Sequence, residues 1–223
     1  METRGEKYIR SLIAQGEHQQ LDFKFEITDA RKIARTLSAF SNTIGGRLLI
    51  GVKDNGRISG IRSDEEYYMV ESAATLYCKP ELSFDSRIHQ VDGKNILEIY
   101  IPPAEHKPVY ARDENMRWMA YIRVADESML ADIVQLRIWT GEGEKEGGDS
   151  GDLLLEFTRK EQILLSTLEG APGASLSSLQ QDTGFRRKEL VDLMTKLVRF
   201  DVVEMVVKDG TNGFKLRERP GED

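Results

Sequence analysis

Residues 39–56 read AFSNTIGGRLLIGVKDNG, and the pattern of apolar residues changes period partway along. Upstream, Ile33, Leu37 and Phe40 fall three and four apart, so a helix is predicted over Asp29 to Asn42. Gly45-Gly46 then closes that helix, with one residue free to enter the left-handed region. RLLIGV (47–52) is a strand, Asp54-Asn55-Gly56 a turn and RISGI (57–61) a return strand. The order is helix, glycines, strand. A dinucleotide-binding turn needs strand, glycines, helix, and GxxxxGK[ST] occurs nowhere in the chain. The glycines therefore read as helix termination and close packing.

Working outward, Tyr8, Ile9, Leu12 and Ile13 have helical spacing. LDFKF (21–25) alternates, which puts Leu21, Phe23 and Phe25 on one face of a strand and Asp22 and Lys24 on the solvent face. A helix is predicted from Asp64 to Tyr77. RIHQV and NILEIYI flank Asp92-Gly93 as a hairpin. Pro108–Ala111 and Met119–Val124 are strands, and a last helix lies near 128–139.

GEGEKEGGDSGD (141–152) has no apolar residue and reads as a linker between domains at 1–140 and 153–223. After it, Thr158 caps a helix reaching Leu168, with Glu161 completing a capping box. Ser175 caps a short helix, and Thr183-Gly184 makes a turn. Arg186 to Phe200 is a third helix with Leu190, Leu193, Met194 and Leu197 buried. VVEMVV and GFKL flank DGTN as a wing. Helix, helix–turn–helix and hairpin in that order describe a winged helix–turn–helix. The fold class is α+β: a mixed α/β domain plus this C-terminal module.

The 223 residues carry 31 Lys+Arg against 38 Asp+Glu, a net charge of -7. Coating nucleic acid or membrane by bulk charge is thereby disfavoured. The linker, however, holds five acidic residues and one lysine, so the domains are close to neutral. One cysteine excludes an internal disulfide and a cysteine-built zinc site. The N-terminus lacks an apolar signal core and no run approaches the roughly 18 apolar residues of a spanning helix, so a cytoplasmic protein without membrane partners is expected.

Arg186, Arg187 and Lys188 open the third helix of the module, the end that faces the major groove in this motif, and Lys208 and Lys215 on the wing are placed for flanking phosphates. A winged helix also serves as an interaction module. Glu17, Asp22 and Asp54 each sit at the edge of a predicted element. Converging, such carboxylates hold Mg²⁺ or Mn²⁺ through oxygen; apart, they are solvated, and Asp22 pairs with Lys24.

Gly16-Glu17-His18-Gln19-Gln20-Leu21-Asp22-Phe23-Lys24, the run 39–56 and Ala120-Tyr121-Ile122-Arg123-Val124 together resemble the Schlafen AlbA_2 domain over roughly residues 1–139. The resemblance implies an α+β domain that binds DNA and associates as a homodimer. With the winged helix behind it, the chain resembles bacterial transcriptional regulators, and Lys24, Arg31, Arg35 and Arg123 become first-domain contacts to nucleic acid. The resemblance also implies an alternative: in nuclease members, three acidic positions, here Glu17, Asp22 and Asp54, form a Mg²⁺- or Mn²⁺-dependent site that cleaves structured RNA. The second position is normally Glu and is Asp here.

Overall fold

A computed structural model describes residues 2–141 and 157–218. The chain divides into two compact units, residues 1–131 and 132–223. Apart from Gly141, the expected linker at 141–152 lies outside the described residues.

The first unit begins with α1 (Arg4–Ile13), β1 (Leu21–Lys24), α2 (Ala30–Asn42) and β2 (Gly46–Ile50). It continues with α3 (Glu65–Leu76), β3 (Cys78–Lys79), β4 (Asp85–Val91) and β5 (Lys94–Ile101), then β6 (Tyr110–Arg112), β7 (Trp118–Val124) and β8 (Glu127–Leu130). One sheet has the order β1-β2-β5-β4, with β1 parallel to β2 and the remaining pairs antiparallel. The other has the order β3-β6-β7-β8 and is antiparallel throughout. Ile33, Leu37 and Phe40 of α2 enter the main core with Leu48, Ile50, Leu97 and Ile99 of the first sheet and Ala111 and Tyr121 of the second. Ile9 of α1 packs with Phe23, Leu49 and Ile96 in a smaller core on the other face of the first sheet.

The junction of α2 and β2 explains the two glycines. Gly45 sits at φ 76°, and a Cβ on Gly46 would lie 2.4 Å from the Phe40 ring. Strand and helix approach too closely there for any side chain. Asn42 fastens the end of α2 to the second sheet. Its Nδ2 donates to the carbonyls of Val109 (2.8 Å) and Tyr121 (2.9 Å), and its Oδ1 accepts from the Val109 N–H at 2.7 Å.

Two local expectations fail. The return strand at 57–61 is reduced to a single bridge between Val52 and Ile58. The helix near 128–139 is instead β8 followed by α4 (Ile133–Thr140), which Asp132 caps by accepting from Val134 N–H at 2.8 Å. A capping residue inside the expected helix splits it. Helix α4 belongs to the second unit, so the contact boundary falls before it rather than at 140.

The second unit continues with α5 (Arg159–Gly170), α6 (Leu176–Thr183), α7 (Arg187–Arg199), β9 (Val203–Lys208) and β10 (Thr211–Leu216). Thr158 and Glu161 form the capping box, Ser175 caps α6, and Gly184 ends α6 at φ 69°. Leu164, Leu168, Leu179, Leu190, Met194 and Phe214 make the core, with Val134 of α4 joining it against α7. β9 and β10 pair antiparallel, and Ala174 adds a bridge to Phe214. No helix among the described residues is long and apolar enough to cross a membrane.

Candidate nucleic-acid interface

In the first unit, α2 opens at Asp29, whose carboxylate accepts the Arg31 N–H at 2.9 Å and pairs with the Arg31 guanidinium at 3.0 Å. That guanidinium holds the carboxyl below the usual range of an aspartate. The first turns of α2 present Arg31, Lys32 and Arg35. β1 supplies Asp22 and Lys24, the β6–β7 hairpin supplies Arg112 to Asn115, β7 supplies Tyr121 and Arg123, and the turn after it and β8 supply Asp126 and Ser128. These residues line one open cleft of about 490 Å³. The four first-domain cations expected from sequence, Lys24, Arg31, Arg35 and Arg123, all reach it. Lys32 and Arg112 do too, and the sequence reading missed both. Lys32 was legible as a neighbour of Arg31 and Arg35 in the opening turn. Arg112 had no local signal, because only the pairing of β6 with β7 brings it there.

The floor of the cleft departs from expectation. Asp22 is 3% exposed, not on a solvated face. It lies between Arg123 Nη2 at 3.1 Å and Lys24 Nζ at 2.9 Å. The reason is that β7 of the second sheet covers the face of β1 turned away from α1, where the Arg123 guanidinium donates to Asp22. Leu21 and Phe23 turn to the α1 side and Asp22 turns toward β7. Phe25, expected on the apolar face, is 37% exposed, with Lys53 Nζ 4.9 Å from its ring centre. Arg123 is also 3% exposed; its guanidinium stacks over Phe40 and donates to Ser128 Oγ. It therefore anchors the floor and has no free surface to offer a phosphate.

The remaining cleft cations are partly occupied. Lys24 also donates to the Phe23 carbonyl at 2.8 Å. Arg35 stacks over Tyr121 at 5.2 Å and donates to the Ser128 carbonyl. Arg112 stacks over Trp118 at 5.0 Å, and its buried Nε has no partner among the described residues.

Glu17 meets Asp22 beneath the cleft. It accepts the Phe23 N–H at 2.8 Å. Burial, then hydrogen bonding with Asp22, push its carboxyl up to about 7, against the pull of the Phe23 N–H. Asp54 is exposed in the turn after β2 and is not among the cleft residues. Among the described residues no three His, Cys, Asp or Glu side chains converge to hold a metal. Glu17, Asp22 and Asp54 do not form a three-carboxylate Mg²⁺ or Mn²⁺ site in this arrangement. Two cations, Lys24 and Arg123, already flank Asp22.

The second unit presents its cations differently. Arg186 is the residue before α7, and Arg186, Arg187 and Lys188 are all exposed. None of the three forms an ion pair or side-chain hydrogen bond among the described residues. Around them the charges are matched: Lys160 pairs with Glu189, Arg137 with Asp192, and Lys196 with Glu161. On the hairpin, Lys208 is exposed, whereas Lys215 is paired across the strands with Glu204 at 2.8 Å.

Two other groups are structural. His89 is buried against Glu98 at 2.8 Å, and Glu98 also receives Tyr8 Oη and Arg47 Nε. Burial pushes the Cys78 thiol up to about 12, which makes it inert near neutral pH.

Among solved structures, the DIP2311 protein from Corynebacterium diphtheriae is similar at 19% identity and a TM-score of 0.47. The alignment covers 84% of this chain and 36% of that one, so the chain spans about a third of that protein's length. The N-terminal domain of an ATP-dependent DNA helicase RecG-related protein from Nitrosomonas europaea is similar at 26% identity and a TM-score of 0.43. That alignment covers 56% of this chain and 92% of that one. No curated protein matches. The Schlafen, AlbA_2 family model matches residues 17–132, which hold β1, α2, the whole of both sheets and every residue of the cleft. With more than half of its length matched, the chain belongs to the Schlafen AlbA_2 family.

Proposed function

We propose that this protein binds nucleic acid, with DNA as its target, and acts in the cell as a dimeric regulator of transcription. The second unit is read as a winged helix–turn–helix, in which α7 enters the major groove and the β9–β10 hairpin is the wing. The observation that carries the reading is the set of three exposed cations, Arg186, Arg187 and Lys188, at the start of α7, unpaired among the described residues. Exposed cations free of carboxylate partners bind phosphate without first breaking an ion pair, and the counterions released from the duplex supply the driving force. The first N–H groups of α7 add a fixed positive potential at the same end. The cleft of the first unit supports a second contact with a backbone through Lys24, Lys32 and Arg35. Membership of the AlbA_2 family agrees with nucleic acid as the partner.

The test is fluorescence anisotropy on duplex DNA and on structured RNA over a salt series, comparing the wild-type chain with Arg186→Glu/Arg187→Glu. Both positions are exposed, so circular dichroism and melting should be unchanged. Duplex affinity should fall by more than about tenfold in the variant, because two attractions become two repulsions. Equal affinity of the two proteins at moderate salt would overturn the assignment of α7. Preference for structured RNA over duplex would replace DNA as the target.

A further inference from the structure

Strand β4 is an edge of its sheet, with β5 as its one strand partner. The Asp92-Gly93 loop that joins them has positive φ at both residues, 50° and 72°, the two-residue turn that matches strand twist. Val91 and Lys94 face each other across it and so exchange ladder hydrogen bonds. Every second residue back along β4 does the same, which directs Asp85, Arg87 and His89 toward β5. The N–H and C=O of Ser86, Ile88 and Gln90 therefore point outward. No backbone hydrogen bond among the described residues reaches them.

The side chains along this edge are equally unoccupied. Asp85, Ser86, Arg87 and Ile88 are four consecutive exposed residues, and Ile88 is 54% exposed. Arg87 stands opposite Glu98 in the register, but Glu98 is already held by Arg47, His89 and Tyr8. Neither Asp85 nor Arg87 has an ion pair among the described residues. They lie on the same face of the strand two positions apart, with opposite charge.

That arrangement selects a partner and a register. An antiparallel pair of identical strands with its twofold axis at Arg87 sets arginine against arginine; an axis at Asp85 sets aspartate against aspartate. An axis at Ser86 sets Asp85 against Arg87 and Arg87 against Asp85, with Phe84 opposite Ile88 on each side. Ser86 is also an outward residue, so the axis falls on a hydrogen-bonded pair, and the two charge pairs fall at the closer, non-hydrogen-bonded positions where side chains interact most. We propose that β4 pairs antiparallel with β4 of a second copy of this chain about an axis at Ser86, joining the two sheets into one. The inference deepens the dimer of the proposed function and rests on that reading. A closed twofold interface of this kind also satisfies the open edge in both copies at once.

Sedimentation of the full chain over a concentration series tests it, with Arg87→Asp, Asp85→Arg and the double exchange Asp85→Arg/Arg87→Asp. Each single change should weaken association by about tenfold, since it turns two attractions into two like-charge contacts, and the double exchange should restore it. As a second readout, Ser86→Cys should form a disulfide-linked dimer on mild oxidation, because the hydrogen-bonded pair is within disulfide reach and Cys78 is buried. Gln90→Cys, off the axis, should not. A wild-type chain that stays monomeric overturns both the dimer and this interface. A dimer that forms equally well in Arg87→Asp, or that crosslinks through Gln90→Cys, keeps the dimer and overturns this interface.

Discussion

The cleft of the first unit and the start of α7 in the second have cations in common and differ in how those cations are held. In the cleft, Arg123 and Lys24 flank Asp22, Arg31 is tied to Asp29, and Arg35 is spread over Tyr121. On α7, Arg186, Arg187 and Lys188 are exposed and form no ion pair among the described residues. A buried, paired cation stabilises the fold and presents little net charge to a ligand. An exposed, unpaired one adds little to stability and its full charge to a ligand. Removing the partner of buried Arg123 should therefore damage the fold, whereas removing a cation of α7 should damage binding.

The largest contrast is in stability. Asp22→Ala leaves Arg123 buried without its carboxylate, which costs about 3–5 kcal/mol. Arg187→Ala, at an exposed position, should change stability by no more than about 0.5 kcal/mol. Urea unfolding followed by Trp118 fluorescence in a Trp139→Phe background reads Asp22→Ala in the first unit, and Trp139 fluorescence in a Trp118→Phe background reads Arg187→Ala in the second. Equal effects of the two substitutions would break the comparison.

Salt dependence of binding comes next. Lys188→Gln should lower the slope of log K against log salt by about 0.9, the share of one phosphate contact on a duplex. Arg31→Gln should lower it less, because Asp29 already neutralises that guanidinium.

The pH dependence of stability is smaller and belongs to the first unit. With the Glu17 carboxyl raised to about 7 from an ordinary value near 4.5, the folded chain binds more protons than the unfolded chain between those limits. Stability contributed by the protonated form is complete below the unfolded value and is lost as pH rises through the folded one. The melting temperature should fall from about pH 4.5 to about pH 7 for this group, and Glu17→Gln should flatten that fall and melt higher at pH 8. A variant with the same profile as wild type removes Glu17 from the account.

The smallest effect sharpens the hairpin of the second unit. Lys208→Gln should weaken duplex binding by about twofold, and Lys215→Gln by less, since Glu204 already holds the Lys215 ammonium. A titration precise enough to separate the two checks the order.

Much of the fold was legible in the residues. The helix periods of α2 and α7, the capping box at Thr158 and Glu161, and the hairpin turn at Asp92-Gly93 are local signals, and each appears where it was expected. Gly45 and Gly46 also play the packing role read from their position. The site was less legible. Lys24, Arg31 and Arg35 were expected as contacts to nucleic acid, but only the packing of α2 against β7, and of Arg123 on β7 against Asp22 on β1, puts them in one cleft, and Arg112 joins them only through strand pairing. Asp22 alternates correctly with Leu21 and Phe23, but alternation does not say whether the second face of a strand meets water or another layer.

By itself, the sequence determined where most helices and strands lie, the return strand at 57–61 and the helix near 128–139 apart, because periodicity, capping groups and turn residues act over a few positions of the chain. It also placed the three cations at one helix start, since neighbours in sequence remain neighbours on a helix. Only the tertiary structure decided that Asp22 is buried between two cations, that α4 packs with the second unit, and that β4 ends a sheet with Asp85 and Arg87 unpaired among the described residues. Each of these depends on which element lies against which, and partners distant in the chain are selected by how the apolar faces and charges fit together after the local elements have formed.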